Sequence, residues 1–161
     1  MHQVYLGLGT NVGARVDNLK NAQHYLKRLV GTLEAESSIY ETQPWGVSQQ
    51  ANFLNMVVVM NTALSPNNTL LTILAIEKFI GRVRKEKWNS RLIDIDLLFY
   101  DDLILQEPSL KIPHPFIQER NFVLVPLEEI AANKVHPTLN KSINALLKSC
   151  KDPLEVTKQS Y

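Results

Sequence analysis

Asp94 and Asp96, in the segment Ile93-Asp94-Ile95-Asp96-Leu97-Leu98-Phe99, are the residues of this chain best spaced for chemistry. The segment has strand composition, and in a strand alternate side chains share a face. Ile93, Ile95, Leu97 and Phe99 are then expected to point one way and the two carboxylates the other. Their Cα atoms would lie about 6.5–7 Å apart, two strand steps. Carboxylates that close repel unless a cation joins them. Mg²⁺ suits the pair, because it keeps several waters and takes one or two carboxylates together with phosphate oxygens. Two ions sharing the pair would clamp both sides of a phosphoryl transfer. A bare Asp-x-Asp is equally the wet face of a half-exposed strand, so the motif alone does not decide.

The segment just before it adds weight. Gly81 to Arg91 carries five cations (Arg82, Arg84, Lys85, Lys87 and Arg91) and one anion, Glu86. Cations beside a metal-binding carboxylate pair are what a polyphosphate site needs, since together they offset the charge of a triphosphate and of its transition state. Arginine also grips phosphate through two parallel hydrogen bonds. The competing accounts are a solvated surface loop or a patch for RNA. RNA would call for aromatics presented on a sheet, and no such motif is found.

At this point the chain resembles a known family, the 6-hydroxymethyl-7,8-dihydropterin pyrophosphokinases of folate synthesis. The resemblance is carried by Asn89-Ser90-Arg91-Leu92-Ile93-Asp94-Ile95-Asp96-Leu97-Leu98. It begins at Leu8-Gly9-Thr10-Asn11 and continues through Tyr40-Glu41-Thr42-Gln43-Pro44-Trp45-Gly46 and Phe53-Leu54-Asn55. Gly81-Arg82, Pro113-His114-Pro115 and Arg120-Asn121-Phe122-Val123-Leu124-Val125-Pro126-Leu127 complete it. The order and spacing of these pieces are more specific than any one of them.

The resemblance implies a transfer of pyrophosphate from ATP to the pterin hydroxymethyl group, with Asp94 and Asp96 holding two Mg²⁺ ions. It implies that Arg82 and Arg91 contact the phosphates. Arg84, Lys85 and Trp88 belong to a loop that covers the site. His114 and Arg120 meet the nucleotide, and Ser109 and Lys111 fall where some members contact ATP. Phe53 and Phe122 sandwich the pterin ring. Asn55, Thr42, Gln43 and Pro44 read its polar edge, while Tyr40 and Trp45 line that side. Aromatic faces hold a flat heterocycle well, and an amide offers it both donors and acceptors. Without the resemblance, Phe53 and Phe122 would be assigned to core packing, Asn55 to a strand-end cap and His114 to a turn. Glu77, on an apolar helical stripe, is expected to be buried in a structural role. Many members carry Gly where this chain has Asn89, and Asn is among the best substitutes if that turn needs positive φ.

These residues must be positioned by a modest set of elements. Val4 to Gly9 alternates as a first strand, followed by a helix from about Val16 to Leu29 that Gly31 is expected to end. Thr32 to Tyr40 and Phe53 to Thr62 have strand composition, and Thr42 to Asn52 that of a loop. Ser65-Pro66 is a helix start, with Ser as N-cap and Pro at the first helical position. Leu92 to Tyr100 is the acidic strand. Phe116 to Ala132 is expected to be helical in pieces interrupted by Pro126, and Ser142 to Leu147 to lie in a last helix. The order is roughly β-α-β-β-α-β. That is an α+β, ferredoxin-like split βαβ sandwich, an antiparallel sheet with helices packed on it, plus a C-terminal helical segment.

The bulk properties agree. With 161 residues the chain suits a single domain, 1–161. A net charge of +1 gives no reason to expect nucleic acid or an anionic membrane as partner. Residues 53–76 hold no charge, but Asn55, Asn61, Ser65, Pro66, Asn67 and Asn68 break the stretch, which suits strand, turn and helix better than a membrane span. The lone Cys150 suits a reducing compartment, and the N-terminus lacks the pattern of a signal peptide. The expectation is a cytoplasmic enzyme acting on ATP and a pterin, with a neighbouring folate-pathway enzyme as a further partner. A nucleotidyltransferase and a ferredoxin-like RNA-binding module are the alternatives. The first usually keeps its Gly-Ser turn close to Asp-x-Asp in sequence, and here Gly9-Thr10 is far from Asp94. The second predicts salt-dependent oligonucleotide binding without Mg²⁺.

Overall fold

Strand β1 (His2–Thr10) is the spine of the molecule, because both faces of it are covered except at Gly7 and Gly9. Val4, Leu6 and Leu8 are fully or almost fully buried in one apolar cluster, and Tyr5 in another. The computed structural model describes residues 1–44, 49–81 and 92–161. Around β1 it places α1 (Arg15–Leu29), β2 (Gly31–Glu36), β3 (Tyr40–Thr42), β4 (Phe53–Thr62), α2 (Pro66–Ile80) and β5 (Asp94–Tyr100). Then come a small hairpin of β6 (Leu105–Gln106) and β7 (Lys111–Ile112), a 3-10 turn at Ile117–Glu119, α3 (Asn121–Ala131), α4 (Ile143–Ser149) and β8 (Val156–Lys158).

The six-stranded sheet runs β5-β1-β4-β3-β8, with β2 also paired to β4, and every pairing is antiparallel. Helices α1 and α2 cover one face through Leu19, Ala22, Leu26, Ile73 and Ile76. Helices α3 and α4 cover part of the other through Val123, Leu124, Leu127, Ile143 and Leu146. This is the α+β sandwich expected. The charge-free stretch 53–76 is β4 followed by α2, whose N-cap Ser65 accepts a hydrogen bond from the Asn68 N–H at 3.2 Å. Among the described residues, no helix is long and apolar enough to cross a membrane.

Several local expectations need correction. Gly31 does not cap α1: Val30 does, in right-handed conformation, and Gly31 opens β2. A Cβ at Gly31 would lie 2.0 Å from the Asn61 carbonyl oxygen, so close backbone approach is what requires glycine there. The left-handed cap belongs to Gly81 at the end of α2, with φ 112°. The single strand expected over 32–40 is two, broken at Ser37, whose N–H reaches the Val57 carbonyl. Pro126 does not interrupt α3, which carries it buried in its interior. The C-terminal segment is not all helical either, since β8 returns to pair with β3.

The acidic strand also departs from strict alternation. Tyr5 faces Phe99 and Leu6 faces Leu97, so Leu98 is left over as a bulge. Leu98 and Phe99 therefore both join the α3 side, and Tyr100 returns to the α1–α2 side. Phe99 does not share a face with Ile93, Ile95 and Leu97. Asp94 and Asp96 precede the bulge and keep the expected orientation, opposite Ile95 and Leu97.

Candidate active site

The α3–α4 layer leaves one end of its sheet face open, and the registers show what lies there. Asp94 of β5 pairs with Gly9 of β1, which pairs with Asn55 of β4, which pairs with Tyr40 of β3. In the next row Asp96 pairs with Gly7, and Gly7 with Val57. Residues directly opposite in antiparallel strands project to the same side. The two glycines thus add no side chain of their own to the floor, which Leu98 borders at Gly7, with carboxylates on one flank and the Asn55 amide on the other. The trough widens into a pocket of about 840 Å³, its solvent mouth included. Thr42, Gln43, Pro44, Gln50, Phe53 and Asn55 wall one side, Asp94 and Asp96 the other, with Arg120, Phe122 and Val123 beside them.

Asn55 is buried, and its Nδ2 donates to Thr42 Oγ1 at 2.8 Å. That bond fixes the amide's orientation and leaves Oδ1 over Gly9, where a Cβ would stand only 2.8 Å from it. Gly9→Ala must therefore turn the amide out of place. Rotamer strain and a weakened hydrogen bond together are expected to cost about tenfold in affinity for a ligand read by Asn55. Calorimetry should show ATP binding unchanged in the same variant, and equal losses for both ligands would argue against the arrangement.

Phe53 and Phe122 both line the pocket and are half-buried. The Arg120 guanidinium carbon sits 5.6 Å from the centre of the Phe122 ring and 5.0 Å from that of Phe116. Phe122 is thereby backed by a cation while it also packs against the α3-side apolar cluster. His114 lies outside the pocket wall, but the fields of Arg120 and Asp94 both reach it. The Leu98 carbonyl accepts the His114 N–H at 2.9 Å, docking the Pro-His-Pro segment on β5. The Phe116 N–H donates to His114 Nδ1 at 3.2 Å, which leaves Nε2 to carry the proton of the neutral ring.

Burial, reinforced by the Arg120 charge and opposed by Asp94, lowers the His114 pKa to about 4. In the unfolded chain the ring titrates near 6.5. Between those values the unfolded state holds more protons, so stability rises with pH and is lost as pH falls from about 6.5 toward 4. Denaturant unfolding at pH 7, 5.5 and 4.5 should show this loss in wild type and a smaller one in His114→Asn. Identical pH dependences would mean that the imidazole is not buried in neutral form.

Some expected site residues lie elsewhere. Tyr40 does not line the pocket. Its hydroxyl donates to Glu129 of α3 at 2.5 Å, and burial together with that bond pushes its pKa up to about 12. Lys111 is exposed on β7 and is likewise not part of the wall. Glu77 is buried as expected, its Oε1 accepting the Ile95 N–H at 2.8 Å, which ties α2 to β5. Trp45, Arg82, Arg84, Lys85, Trp88 and Arg91 lie outside the described residues. Gly7, Gly9, Gln50, Val57 and Val123 were not singled out from the sequence as lining a site. Gly7-Leu8-Gly9 did carry a signal, since glycine inside a strand marks a place of close approach, here by the side chains of Leu98 and Asn55.

Comparison with known proteins shows the family. The family described as 7,8-dihydro-6-hydroxymethylpterin-pyrophosphokinase (HPPK) matches residues 5–132. This chain belongs to the HPPK family. The 2-amino-4-hydroxy-6-hydroxymethyldihydropteridine pyrophosphokinase of Aquifex aeolicus is 43% identical over 143 residues, covering 89% of each protein. The Synechocystis enzyme of the same name is 45% identical over 148 residues, 91% of this chain and 75% of that one. Among solved structures, wild-type HPPK-DHPS of Plasmodium falciparum superposes with a TM-score of 0.77 at 19% identity, over 91% of this chain and 44% of that one. That likeness supports the fold, and this chain spans less than half of the Plasmodium chain. The HPPK match covers β1 through α3, and therefore both flanks of the glycine floor.

Proposed function

We propose that the chain transfers pyrophosphate from ATP to 6-hydroxymethyl-7,8-dihydropterin, giving the pterin diphosphate and AMP in tetrahydrofolate synthesis. The observation that carries this is the glycine-floored trough, with a heterocycle-reading flank and a carboxylate flank facing each other across one strand. The pterin ring lies between Phe53 and Phe122. Its polar edge meets Asn55, Thr42 and the chain at Gln43 and Pro44, and Trp45 is assigned to the same ligand. The hydroxymethyl oxygen then points across Gly9 toward Asp94 and Asp96. That oxygen attacks the β-phosphorus and gives up its proton to water, the bond from β-phosphorus to the α,β-bridging oxygen breaks, and AMP leaves with the electron pair.

Among the described residues no group of three or more His, Cys, Asp or Glu stands ready to hold a metal. Two carboxylates on one strand face fit Mg²⁺, which completes its shell with water and phosphate oxygens. Two such ions held by Asp94 and Asp96 would supply charge neutralisation at the triphosphate. Arg82 and Arg91 are assigned to the transferring group, and Arg84, Lys85, Trp88, Lys111, His114 and Arg120 to the nucleotide. Positioning and electrostatics do most of the work in such a transfer, and exclusion of water protects it from hydrolysis. Residues 1–161 are taken as one domain, supported by two apolar clusters that share one sheet. A cytoplasmic setting suits the free Cys150. A neighbouring folate enzyme as partner is supported by the HPPK-DHPS chain.

Phosphorus NMR of protein, ATP, Mg²⁺ and the pterin should show AMP and a pterin diphosphate. ADP, free pyrophosphate or no turnover would overturn the assignment. Phe53→Ala and Phe122→Ala should weaken pterin binding by about 1–3 kcal/mol, as for stacking on nucleobases, and ATP binding less. Equal losses for the two ligands by calorimetry would instead return these rings to the core.

A further inference from the structure

We infer that Arg15, a residue outside the pocket, is a positioning residue for the pterin flank of the trough. Arg15 opens α1, and its Nη1 donates both to Glu41 Oε1 at 3.1 Å and to the Asn52 carbonyl oxygen at 2.9 Å. Those two partners are the stems of one loop. Glu41 immediately precedes Thr42, Asn52 immediately precedes Phe53, and Thr42 and Phe53 face each other in the β3–β4 register. The chain between them supplies Gln43, Pro44 and Gln50 to the pocket wall. One guanidinium thus closes the base of the loop that carries half of the residues on that flank. Asn11 supports the same stem, its Nδ2 donating to the Ala51 carbonyl at 3.2 Å.

Neither Arg15 nor Glu41 lines the pocket, so each acts through Thr42, Phe53 and the loop. Their side chains are both 27% exposed, which shields the pair from full solvent screening without deep burial. Pinning the two stems holds Thr42 and Phe53 in place before a ligand arrives, and such preorganisation lowers the cost of binding. The carboxylate flank is built on β5, on the far side of β1 from β4, and shares none of these bonds. The consequence should therefore fall on the pterin and spare ATP.

This role rests on the trough being the pterin site, and the test separates the two. Arg15→Ala, Arg15→Lys and Phe53→Ala are made in the full chain. For each, KM for pterin, KM for ATP, kcat and the melting temperature are measured. Arg15→Ala is expected to raise the pterin KM about fivefold to tenfold, the net scale of one ordinary hydrogen bond, because the lost contacts act on the ligand only through the loop stems. Its kcat at saturating pterin and its ATP KM should stay within about twofold. Arg15→Lys should recover part of the loss, because an ammonium keeps the charge beside Glu41 without the reach and fork of the guanidinium. An unchanged pterin KM in Arg15→Ala, beside a weakened Phe53→Ala, overturns the positioning role alone. Equal losses for both substrates with a lowered melting temperature also overturn it, since Arg15 would then be general scaffold. Unchanged pterin binding in Phe53→Ala removes the pterin site itself, and the role of Arg15 falls with it.

Discussion

Asp94→Ala and Asp96→Ala are each expected to lower kcat by on the order of 10³-fold or more, the effect of removing several kcal/mol of metal-borne charge stabilisation. The expectation follows from the row structure of the sheet. Both carboxylates project into the trough, paired with Gly9 and Gly7 rather than with side chains that would cover them. Neither belongs to either apolar cluster, so the fold should survive and the melting temperature should move little. Rapid-quench turnover at saturating ATP, repeated over a Mg²⁺ titration, checks the claim. Near-normal turnover in either variant would remove the metal assignment. A collapse of the fold in both would make the pair structural.

The second large effect is on stability. Phe99→Ala should cost about 3–5 kcal/mol, the usual loss for truncating a buried aromatic. For a chain of this size that is a fall of roughly 6–20 °C in melting temperature. Phe99 is fully buried, with Tyr5 edge-on at 5.7 Å, His136 edge-on at 5.5 Å and the Lys134 ammonium 5.0 Å above its ring centre. Activity per folded molecule should change little, because Phe99 lies beyond the bulge and away from the trough. A loss below about 1 kcal/mol in urea unfolding would mean that the ring does not fill the core described here.

Phe99 also shows where the sequence stops being informative. Strict alternation places it with Ile95 and Leu97, and that held for Asp94 and Asp96 because they precede the bulge. An extra residue such as Leu98 is set by the partner strand, and nothing in the run of apolar residues marks it. Ser65-Pro66 announced α2 because a cap and a fixed φ are local effects. Gly31 was misassigned for the opposite reason, since its constraint is the Asn61 carbonyl of a strand far along the chain. β8 is three residues of mixed polarity and exists through its pairing with β3, which no local pattern encodes. Asp94, Asp96, Thr42, Phe53, Asn55 and Phe122 were legible as a set through family resemblance, and the structure brings them to one pocket. The Arg15 clamp was not legible, because a surface arginine at a helix start has no signature of what it will hold.

The glycine floor makes the sheet itself a ruler. Asn55 and Asp94 stand on strands two steps apart with β1 between them, so their backbones are held about 9.5 Å apart by two interstrand spacings. Backbone hydrogen bonds set that distance, and substitution of side chains or drift in the surrounding loops leaves it unchanged. A pterin whose reactive arm is longer or shorter by one carbon would present its oxygen at the wrong mark on this scale. Selectivity for arm length would then be a property of the β-sheet rather than of the loops around the trough.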